Sequence, residues 1–300
     1  MRLLQLIELY FYVCEIYEQE LQWHCMRHTK NQSPPKFTDS ELLCSYLFSL
    51  TYERKTRVKD AYEYIKHHWA DCFPELPSYQ AYNARLNRLA GALPHLAAHL
   101  AARYSFGCTK SRASFLLTDS MPIITCSGKR AGKVARELCN KGYNSTKKMH
   151  YFGVKLHGLG FSRSGALPVI ESMQIGPASE HDLQAQRQLL EQYAHFPIFG
   201  DKAFNDSELE LICQDQGGEL MCPVKYKRGQ PQQDKQRHKA ADDLYSKAVS
   251  KIRQPIESFF NWLIEHTDIQ RASKVRSLQG LIVHIFARIA AALILITQLN

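Results

Sequence analysis

The sequence lacks the cysteine patterns of disulfide-bonded and zinc-binding proteins. It has nine cysteines in 300 residues, an odd number, and none of them forms a Cys-x-x-Cys pair. Such usage indicates free thiols in a reducing compartment. The stretch HCMRH (24–28) holds two histidines and a cysteine, but no second ligand pair at a suitable spacing accompanies it. The sequence alone therefore does not predict a zinc site.

The chain also lacks a recognisable targeting segment. Its apolar N-terminus is interrupted by Glu8 and Glu15 and no small-residue cleavage site follows, so it does not resemble a signal peptide. The C-terminal stretch 278–300 is nearly long enough to cross a bilayer. His284 and Arg288 lie within it, and ionisable groups are costly in lipid. We therefore expect a buried helix in a cytoplasmic protein, with membrane association as the alternative.

Acidic residues are few relative to basic ones. The chain has 29 Asp and Glu against 38 Lys and Arg, a formal net charge of +9 and a pI near 9.0. This excess indicates a polyanionic partner or an anionic membrane surface, and a diffuse basic surface is the alternative. No convincing Ser/His/Asp or Cys/His arrangement is present, so the sequence gives no indication of covalent nucleophilic catalysis.

Residues 1–105 have the apolar spacing of helices. Thr38 and Glu41 form a capping-box pattern that predicts a helix start, and Ser78 is the predicted N-cap of a later helix. One side of that later helix carries residue types that hydrogen-bond base edges and phosphates, namely Gln80, Asn83, Arg85, Asn87 and Arg88. We predict a helical domain that binds DNA through a helix-turn-helix-like module. A helical bundle with a solvated polar face is the alternative.

The pattern changes at about residue 112, where strands begin. The predicted order is three strands, then helix, strand, helix, strand and helix. Three leading strands form a meander, and two more are added through helices, so residues 112–300 predict a mixed sheet flanked by helices. The whole chain is therefore predicted to be α+β. Three local features are also predicted: Ser179 as a helix N-cap, a flexible loop over 225–239, and a kink or restart at Pro255.

Two acidic residues follow apolar strands of this predicted sheet. Asp119 follows FLLT and Asp201 follows FPIFG, and the first and fourth strands can be neighbours in such a sheet. Two adjacent carboxylates repel each other, and a hard divalent cation such as Mg²⁺ or Mn²⁺ removes that cost. The candidates for a third acid are Asp242, Asp243, Glu257, Glu265 and Asp268. Glu257 is preferred, because Lys251 and Arg253 precede it and a cation beside a metal site suits phosphate binding. A surface helix pair is the alternative for Arg253 and Glu257.

Four stretches, LLTDSMPI, PASEHDLQ, GDKAF and RQPIESFFNWL, resemble the DDE transposases of small bacterial insertion sequences, which have an RNase H-like fold. On this resemblance Asp119, Asp201 and Glu257 correspond to the acidic triad. Their separations of 82 and 56 positions fit the family, and FTDSELL and FPELPSYQAYNARL resemble its helical region. Two positions depart from it: Ser250 stands where many relatives have Tyr, and Ile264 where they have Lys.

The resemblance implies a DNA transposase that cleaves the ends of a mobile element and joins them to target DNA by two-metal phosphoryl transfer. It implies Mg²⁺ as cofactor, with Mn²⁺ able to substitute. It also implies DNA partners, namely terminal inverted repeats and target DNA, a homodimer on paired ends, and a cytoplasmic, nucleoid-associated bacterial protein with no membrane partner. The predicted domains are a helical one (1–105) and a catalytic one (112–300). The alternative is a catalytically inactive, transposase-derived DNA-binding protein.

Two basic runs flank the predicted site. Residues 129–148 contain seven Lys or Arg and one acid, and residues 225–239 contain six and one. Such runs suit a DNA track, although either one alone is typical of a solvated surface. The predicted DNA-binding residues are Lys129, Arg130, Lys202, Lys235, Arg237, Lys239, Lys251 and Arg253, together with Arg85 and Arg88 of the helical region.

Overall fold

A computed structural model describes residues 2–25, 35–107, 112–129, 132–144, 147–226 and 232–298. Helices come first, and a six-stranded mixed sheet flanked by helices follows, which confirms the predicted α+β fold class. The chain divides into two compact units. The first comprises Met1–Tyr104, Lys133–Glu137 and Leu263–Asn300; the second comprises Ser105–Gly132 and Leu138–Trp262.

The first unit is made of helices. They are α1 (Arg2–Ile16), a π-helical turn (Tyr17–Leu21), α2 (Gln22–Cys25), α3 (Asp39–Glu53), α4 (Val58–His68), α5 (Tyr79–Arg88), a 3₁₀ turn (Leu89–Gly91), α6 (Ala92–Gly107) and α10 (Leu278–Gln298). The predicted capping box is present, since the Thr38 hydroxyl accepts from the Glu41 N–H at 3.1 Å while Glu41 accepts from the Thr38 N–H at 2.6 Å. Ser78 also caps α5, as predicted.

Helix α3 is the core of this unit. Every residue from Leu42 to Tyr52 is buried, so the helix has no solvated face in that stretch. Helices α1, α4 and α10 pack against it. Burying an apolar helix on all sides requires partners around its circumference, and α10 supplies one of them from the far end of the sequence.

Helix α10 holds the apolar C-terminal stretch. Leu278–Thr297 is long and apolar enough to cross a membrane, but 78% of an 18-residue stretch of it is buried within the protein. Its two ionisable groups bond to backbone carbonyls: Arg288 Nε donates to Thr267 at 2.9 Å, and His284 Nε2 lies 2.8 Å from the Ile269 oxygen. The stretch is therefore accommodated as a core helix of the first unit, as expected from its ionisable residues.

The burial of His284 predicts an acid-sensitive step in stability. Burial and, to a smaller extent, the nearby Arg288 lower the pKa of His284 to about 3, while the Ile269 carbonyl acts in the opposite direction. Because the unfolded chain binds a proton below about pH 6.5 and the folded chain does not, stability present above pH 6.5 is lost as the pH falls toward 3. We expect about 2 kcal/mol of this loss between pH 6.5 and 5.

The measurement is urea unfolding of the chain and of the variant His284→Gln at both pH values. The variant should lose less stability than the unsubstituted chain on going from pH 6.5 to 5. His195→Gln, at an exposed position, is the matched control and should leave the pH dependence unchanged. An equal loss in His284→Gln and the unsubstituted chain would contradict the assignment.

The second unit contains the sheet. Its elements are β1 (Arg112–Ser127), β2 (Asn140–Asn144), β3 (Met149–Arg163), β4 (Val169–Pro177), α7 (Asp182–Gln192), β5 (Pro197–Phe199), a 3₁₀ turn (Lys202–Phe204), α8 (Ser207–Asp215), β6 (Glu219–Met221) and most of α9 (Gln232–Thr267). The strand order is β2-β3-β1-β5-β6, and β4 also pairs with β3. Strand β1 is thus interior, with antiparallel β3 on one side and parallel β5 on the other.

Several local predictions differ from the structure. The short strand β2 was not predicted; it pairs only with the first part of β3. Residues 232–239, predicted as a loop, begin α9 instead, because after Pro231 the chain has Gln, Lys, Arg and Ala, which favour helices, and no Gly. The same helix continues through Pro255, so the restart predicted as one alternative there is absent. Ser179 is not an N-cap, since it pairs with Asn140 through both its hydroxyl and its N–H.

Candidate active site

The pairing of β1 with β5 sets the positions of two acids. Leu116 pairs with Ile198 and Leu117 with Phe199, in parallel. Asp119 and Asp201 each lie two residues beyond this last pair. They are therefore at matching positions just past the paired part of β1 and β5. The Asp119 carboxylate accepts from the Ser120 N–H at 2.9 Å, and that of Asp201 accepts from the Lys202 N–H at 2.6 Å. Backbone N–H groups of the following residues therefore orient both carboxylates just beyond the β1–β5 pairing.

Helix α9 brings the third acid to the sheet. Its residues Ile256, Phe259 and Phe260 are buried. The ring of Phe260 lies over Gly158, where an added Cβ would come within 2.9 Å of the ring. Gly158 pairs with Asp119 across the β1–β3 ladder. A glycine at this position lets the helix approach the sheet closely beside Asp119, and Glu257 is on the same turn of the helix.

A buried arginine links two of the acids. Arg253 Nη1 lies 3.1 Å from the Asp119 carboxylate, and Nη2 hydrogen-bonds Glu257, four residues later on α9. The Arg253 side chain is only 10% exposed, whereas that of Asp119 is 20% and that of Glu257 45% exposed. A guanidinium held this way neutralises carboxylates that would otherwise be partly buried and unpaired.

The pKa of Asp119 depends on all of these neighbours. The pKa of its carboxyl is raised to about 6, chiefly by burial, while Arg253 and the Ser120 N–H act to lower it. Charge repulsion from Glu257 and Asp201 makes a smaller contribution to the rise. The three predicted acids therefore lie close enough to act on one another, and Arg253 offsets only part of the cost of ionising Asp119.

These residues fit a site for divalent cations. The donor set is made of carboxylate oxygens, which Mg²⁺ and Mn²⁺ prefer. The Arg253 guanidinium already places one positive charge between Asp119 and Glu257.

The predicted DNA-binding residues of the second unit have varied positions. Lys129, Lys202, Lys239 and Lys251 are exposed, whereas Arg253 is buried at the acids. Arg130 lies outside the described residues, and so do the side chains of Lys235 and Arg237, although the backbone of both is in α9. The role of all these residues in DNA binding stays a prediction.

The two predicted arginines of α5 differ from each other. Arg88 is exposed. Arg85 pairs with Asp39, donates to the Phe37 carbonyl and lies over the Phe37 ring at 5.9 Å. Its charge is therefore already used to attach α5 to the start of α3. Substituting Arg85 would disturb this unit whether or not the residue binds DNA.

The first unit contains a basic cavity that the sequence analysis missed. Its volume is about 830 Å³, and Asn83 and Asn87 of α5 are in its wall. Six basic residues and a single acid, Asp268, are among its described lining residues. The basic ones are Arg57, Lys59, Arg271, Lys274, Arg276 and Arg288. The basic stretch RASKVR (271–276) was the one local indication of this cavity in the sequence. Arg57 and Lys59, which line the same cavity, lie more than two hundred positions earlier.

Two helix N-termini also open into this cavity. Arg57 is the N-cap residue of α4 and makes no side-chain capping hydrogen bond within the described chain. Ser277, just before α10, caps that helix by accepting from the Gly280 N–H at 3.1 Å. The N-terminal end of a helix carries a partial positive charge and free N–H groups, so both ends add to the attraction that the cavity exerts on anions.

A mixed sheet whose central strand carries Asp119 and whose parallel neighbour is followed by Asp201, with a third acid on helix α9, is consistent with an RNase H-like fold. A family model described as Transposase DDE domain matches residues 110–295, and the chain belongs to this family of DNA transposases. No curated protein and no solved structure matches the chain. Members of the family bind DNA and usually use divalent metals.

The raised pKa of Asp119 predicts that its charge destabilises the metal-free protein. Because the folded-state pKa of this carboxyl lies above its unfolded value of 3.8, its favourable contribution is present at low pH and is lost as the pH rises through about 6. Asp119→Asn should therefore raise the free energy of unfolding at pH 8 in EDTA, by about 1–2 kcal/mol.

Chemical denaturation at pH 8 and at pH 4.5 measures this effect. The gain should shrink at pH 4.5, where Asp119 is protonated in the folded protein. Asp243→Asn, an exposed change on α9, is the control and should have little effect at either pH. A loss of stability in Asp119→Asn at pH 8 would contradict the electrostatic assignment.

Proposed function

We propose that this chain is the transposase of a small bacterial insertion sequence, and that it cleaves the ends of the element and joins them to target DNA. The single observation that carries the proposal is the cluster in which Arg253 pairs with both Asp119 and Glu257, while Asp201 and Glu257 both act on the pKa of Asp119. Family membership supplies the substrate class, DNA. The cluster supplies the place where phosphoryl transfer would occur.

Asp119, Asp201 and Glu257 are the proposed catalytic residues and metal ligands. Mg²⁺ is the proposed cofactor, with Mn²⁺ able to substitute, because all three residues offer carboxylate oxygens. A pair of such ions would activate water or a DNA 3′-hydroxyl and would stabilise the leaving oxygen. The protein contributes fixed positions: backbone N–H groups orient Asp119 and Asp201, and the buried face of α9 orients Glu257.

Arg253 has a proposed positioning role and a proposed DNA-binding role. It holds Asp119 and Glu257 in one arrangement. Its Nε makes no hydrogen bond to the described part of the chain but is itself buried, so the proposed phosphate contact requires the guanidinium to move toward solvent. Lys202 and Lys251 are exposed close to Asp201 and Arg253 in the sequence, so they are suited to bind phosphates that enter the site.

We propose that the basic cavity of the first unit binds the DNA backbone at the element's ends. Five of its six cations, Arg57, Lys59, Arg271, Lys274 and Arg276, are exposed. Asn83 and Asn87 line the same cavity, and amides can hydrogen-bond phosphates or base edges. The proposed partners are terminal inverted repeats and target DNA, bound by a homodimer on paired ends in the bacterial cytoplasm.

Substitution of the three acids tests the catalytic proposal. Asp119→Asn, Asp201→Asn and Glu257→Gln should each reduce Mg²⁺-dependent cleavage by at least about a thousandfold, because each removes a ligand charge worth several kcal/mol in the transition state. DNA binding should change little. The measurement is cleavage of a duplex that carries the DNA flanking the gene, with gel-shift binding to the same duplex.

Asp243→Asn is the matched control, since it removes an exposed acid from α9 and should retain cleavage. If one triad variant cleaves at a nearly normal rate in Mg²⁺, that residue is not a ligand. If the unsubstituted chain binds the duplex but does not cleave it in Mg²⁺ or Mn²⁺, the chain is the alternative candidate, a DNA-binding protein derived from a transposase that has lost its catalysis.

The salt dependence of binding tests the cavity. Each phosphate contact contributes about 0.9 to the slope of log affinity against log salt on duplex DNA. The triple variant Arg271→Gln, Lys274→Gln and Arg276→Gln should therefore flatten that slope by about two to three. Sequence preference should hardly change, because phosphate contacts carry no direct sequence information.

The matched control replaces Lys36, Lys66 and Arg103 with Gln. These residues are exposed in the same unit and do not line the cavity. The control should keep its slope within about one unit of the unsubstituted chain. An equal change in both triple variants would mean that only net charge matters. An unchanged slope in the cavity variant would mean that the cavity does not contact DNA phosphates, and the basic runs that include Lys129 and Lys239 would then be the candidate DNA-binding surface.

A further inference from the structure

Helices α1–α2 and α6 of the first unit bring together four potential metal ligands that lie far apart in the sequence. Glu20 and His24 are four residues apart, and so are His95 and His99, so each pair lies on one face of its helical segment. Glu20, His24 and His95 each offer a ligand atom, and these atoms all lie within 4.8 Å of one another. His99 adds a fourth ligand from the next turn of α6.

Glu20 is at the centre of the cluster. One of its carboxylate oxygens lies 3.4 Å from His95 Nδ1, and the other lies 3.9 Å from His99 Nδ1. Zinc bonds of about 2.0–2.1 Å in a tetrahedron place ligand atoms about 3.3 Å apart. The distance from Glu20 to His95 is therefore already that of two ligands on one ion, and a small movement of His99 would bring it to the same separation.

The imidazole rings of His24 and His95 are stacked. Their centroids lie 3.5 Å apart, with an interplanar angle of 18°. Imidazole binds a metal through a nitrogen lone pair in the plane of the ring, so binding one ion requires these two rings to turn out of the stack. The side chains of Glu20, His95 and His99 are 34–43% exposed, so an ion has access from solvent. Glu20 is part of the π-helical turn, a feature found frequently at functional sites.

We propose that Glu20, His24, His95 and His99 form a zinc site that joins the N-terminal helical segment to α6 within the first unit. Imidazole nitrogens with one carboxylate are a donor set that zinc accepts, whereas magnesium prefers oxygen ligands alone. The site is separate from the three acids of the second unit and takes a different class of metal. The ion ties together segments about seventy positions apart, so its role is structural.

The test uses the full-length chain without a histidine tag, in which Asp119→Asn, Asp201→Asn and Glu257→Gln remove the other candidate metal site. After treatment with EDTA, the protein is dialysed against Zn²⁺ and, separately, titrated with Co²⁺. We expect one tightly bound Zn²⁺ per chain and a rise in the unfolding temperature on adding it. Co²⁺ should give the visible absorption of a tetrahedral site without the thiolate charge-transfer band that cysteine ligation would produce.

Ligand variants decide whether these residues hold the ion. Removing one ligand should weaken Zn²⁺ binding by at least 10- to 100-fold, since changes of second-shell groups alone typically have effects of that size. The variants are Glu20→Gln, His24→Ala, His95→Ala and His99→Ala, each checked by circular dichroism. The matched control is His67→Ala, which removes an exposed histidine that ion-pairs with Glu63 four residues earlier, the same spacing on a single helix.

Three outcomes would overturn the proposal. The first is the lack of stoichiometric Zn²⁺ binding by the folded chain. The second is unchanged binding in His95→Ala or Glu20→Gln, which would leave the cluster as an exposed group of His–Glu ion pairs. The third is a thiolate band with Co²⁺, which would place the ion at cysteines. None of these outcomes bears on cleavage by the acids of the second unit, because those acids are removed in every sample.

Discussion

The candidate active site depends on a single buried guanidinium. Arg253 is held among apolar residues of α9 and pairs with acids from two different elements, β1 and its own helix. Without it, Asp119 and Glu257 would repel each other in a partly buried site, where burial already raises the pKa of Asp119 and Glu257 adds to that rise. The arginine therefore allows a set of carboxylates to be assembled before any cation arrives, and it does so from a position that the packing of Phe259 and Phe260 determines.

The first unit solves a different electrostatic problem. Cations surround a cavity of about 830 Å³, and only Arg57 and Arg271 among them form ion pairs within the described chain, with Asp60 and Asp268. Like charges held close together repel one another and so lower the stability of the folded state. A surface that contributed only to stability would not concentrate them in this way. Such a concentration of one sign is typical of a surface that is completed by a polyanion. The two units thus carry opposite charge at their candidate sites: acids in the second, and Lys and Arg in the first.

Much of the second unit could be predicted from the sequence because its signals are local. Apolar runs that end in Asp119 and Asp201 identify β1 and β5, and the order of strands and helices predicts that the two are neighbours. The strand β2 could not be predicted, since NKGYN has no apolar alternation and is ordered only by its pairing with β3. The start of α9 was missed because a polar, charged run was read as a loop although its residues favour helices. The basic cavity depends on tertiary proximity of Arg57 and Arg271, which no local pattern encodes.

The burial of α3 has a consequence for how the protein is made. About 225 residues separate the end of α3 from the start of α10, the helix that covers part of it. During synthesis at about 5–20 residues per second, α3 is therefore present for roughly ten to forty-five seconds before that cover can exist. A ribosome-bound chain would leave the α10-facing side of α3 uncovered throughout this interval, and a copy of the gene interrupted between the acids and α10 would yield a protein that never covers it. Chaperones and proteases would bind such incomplete chains through the exposed side of α3 before the chains could bind DNA.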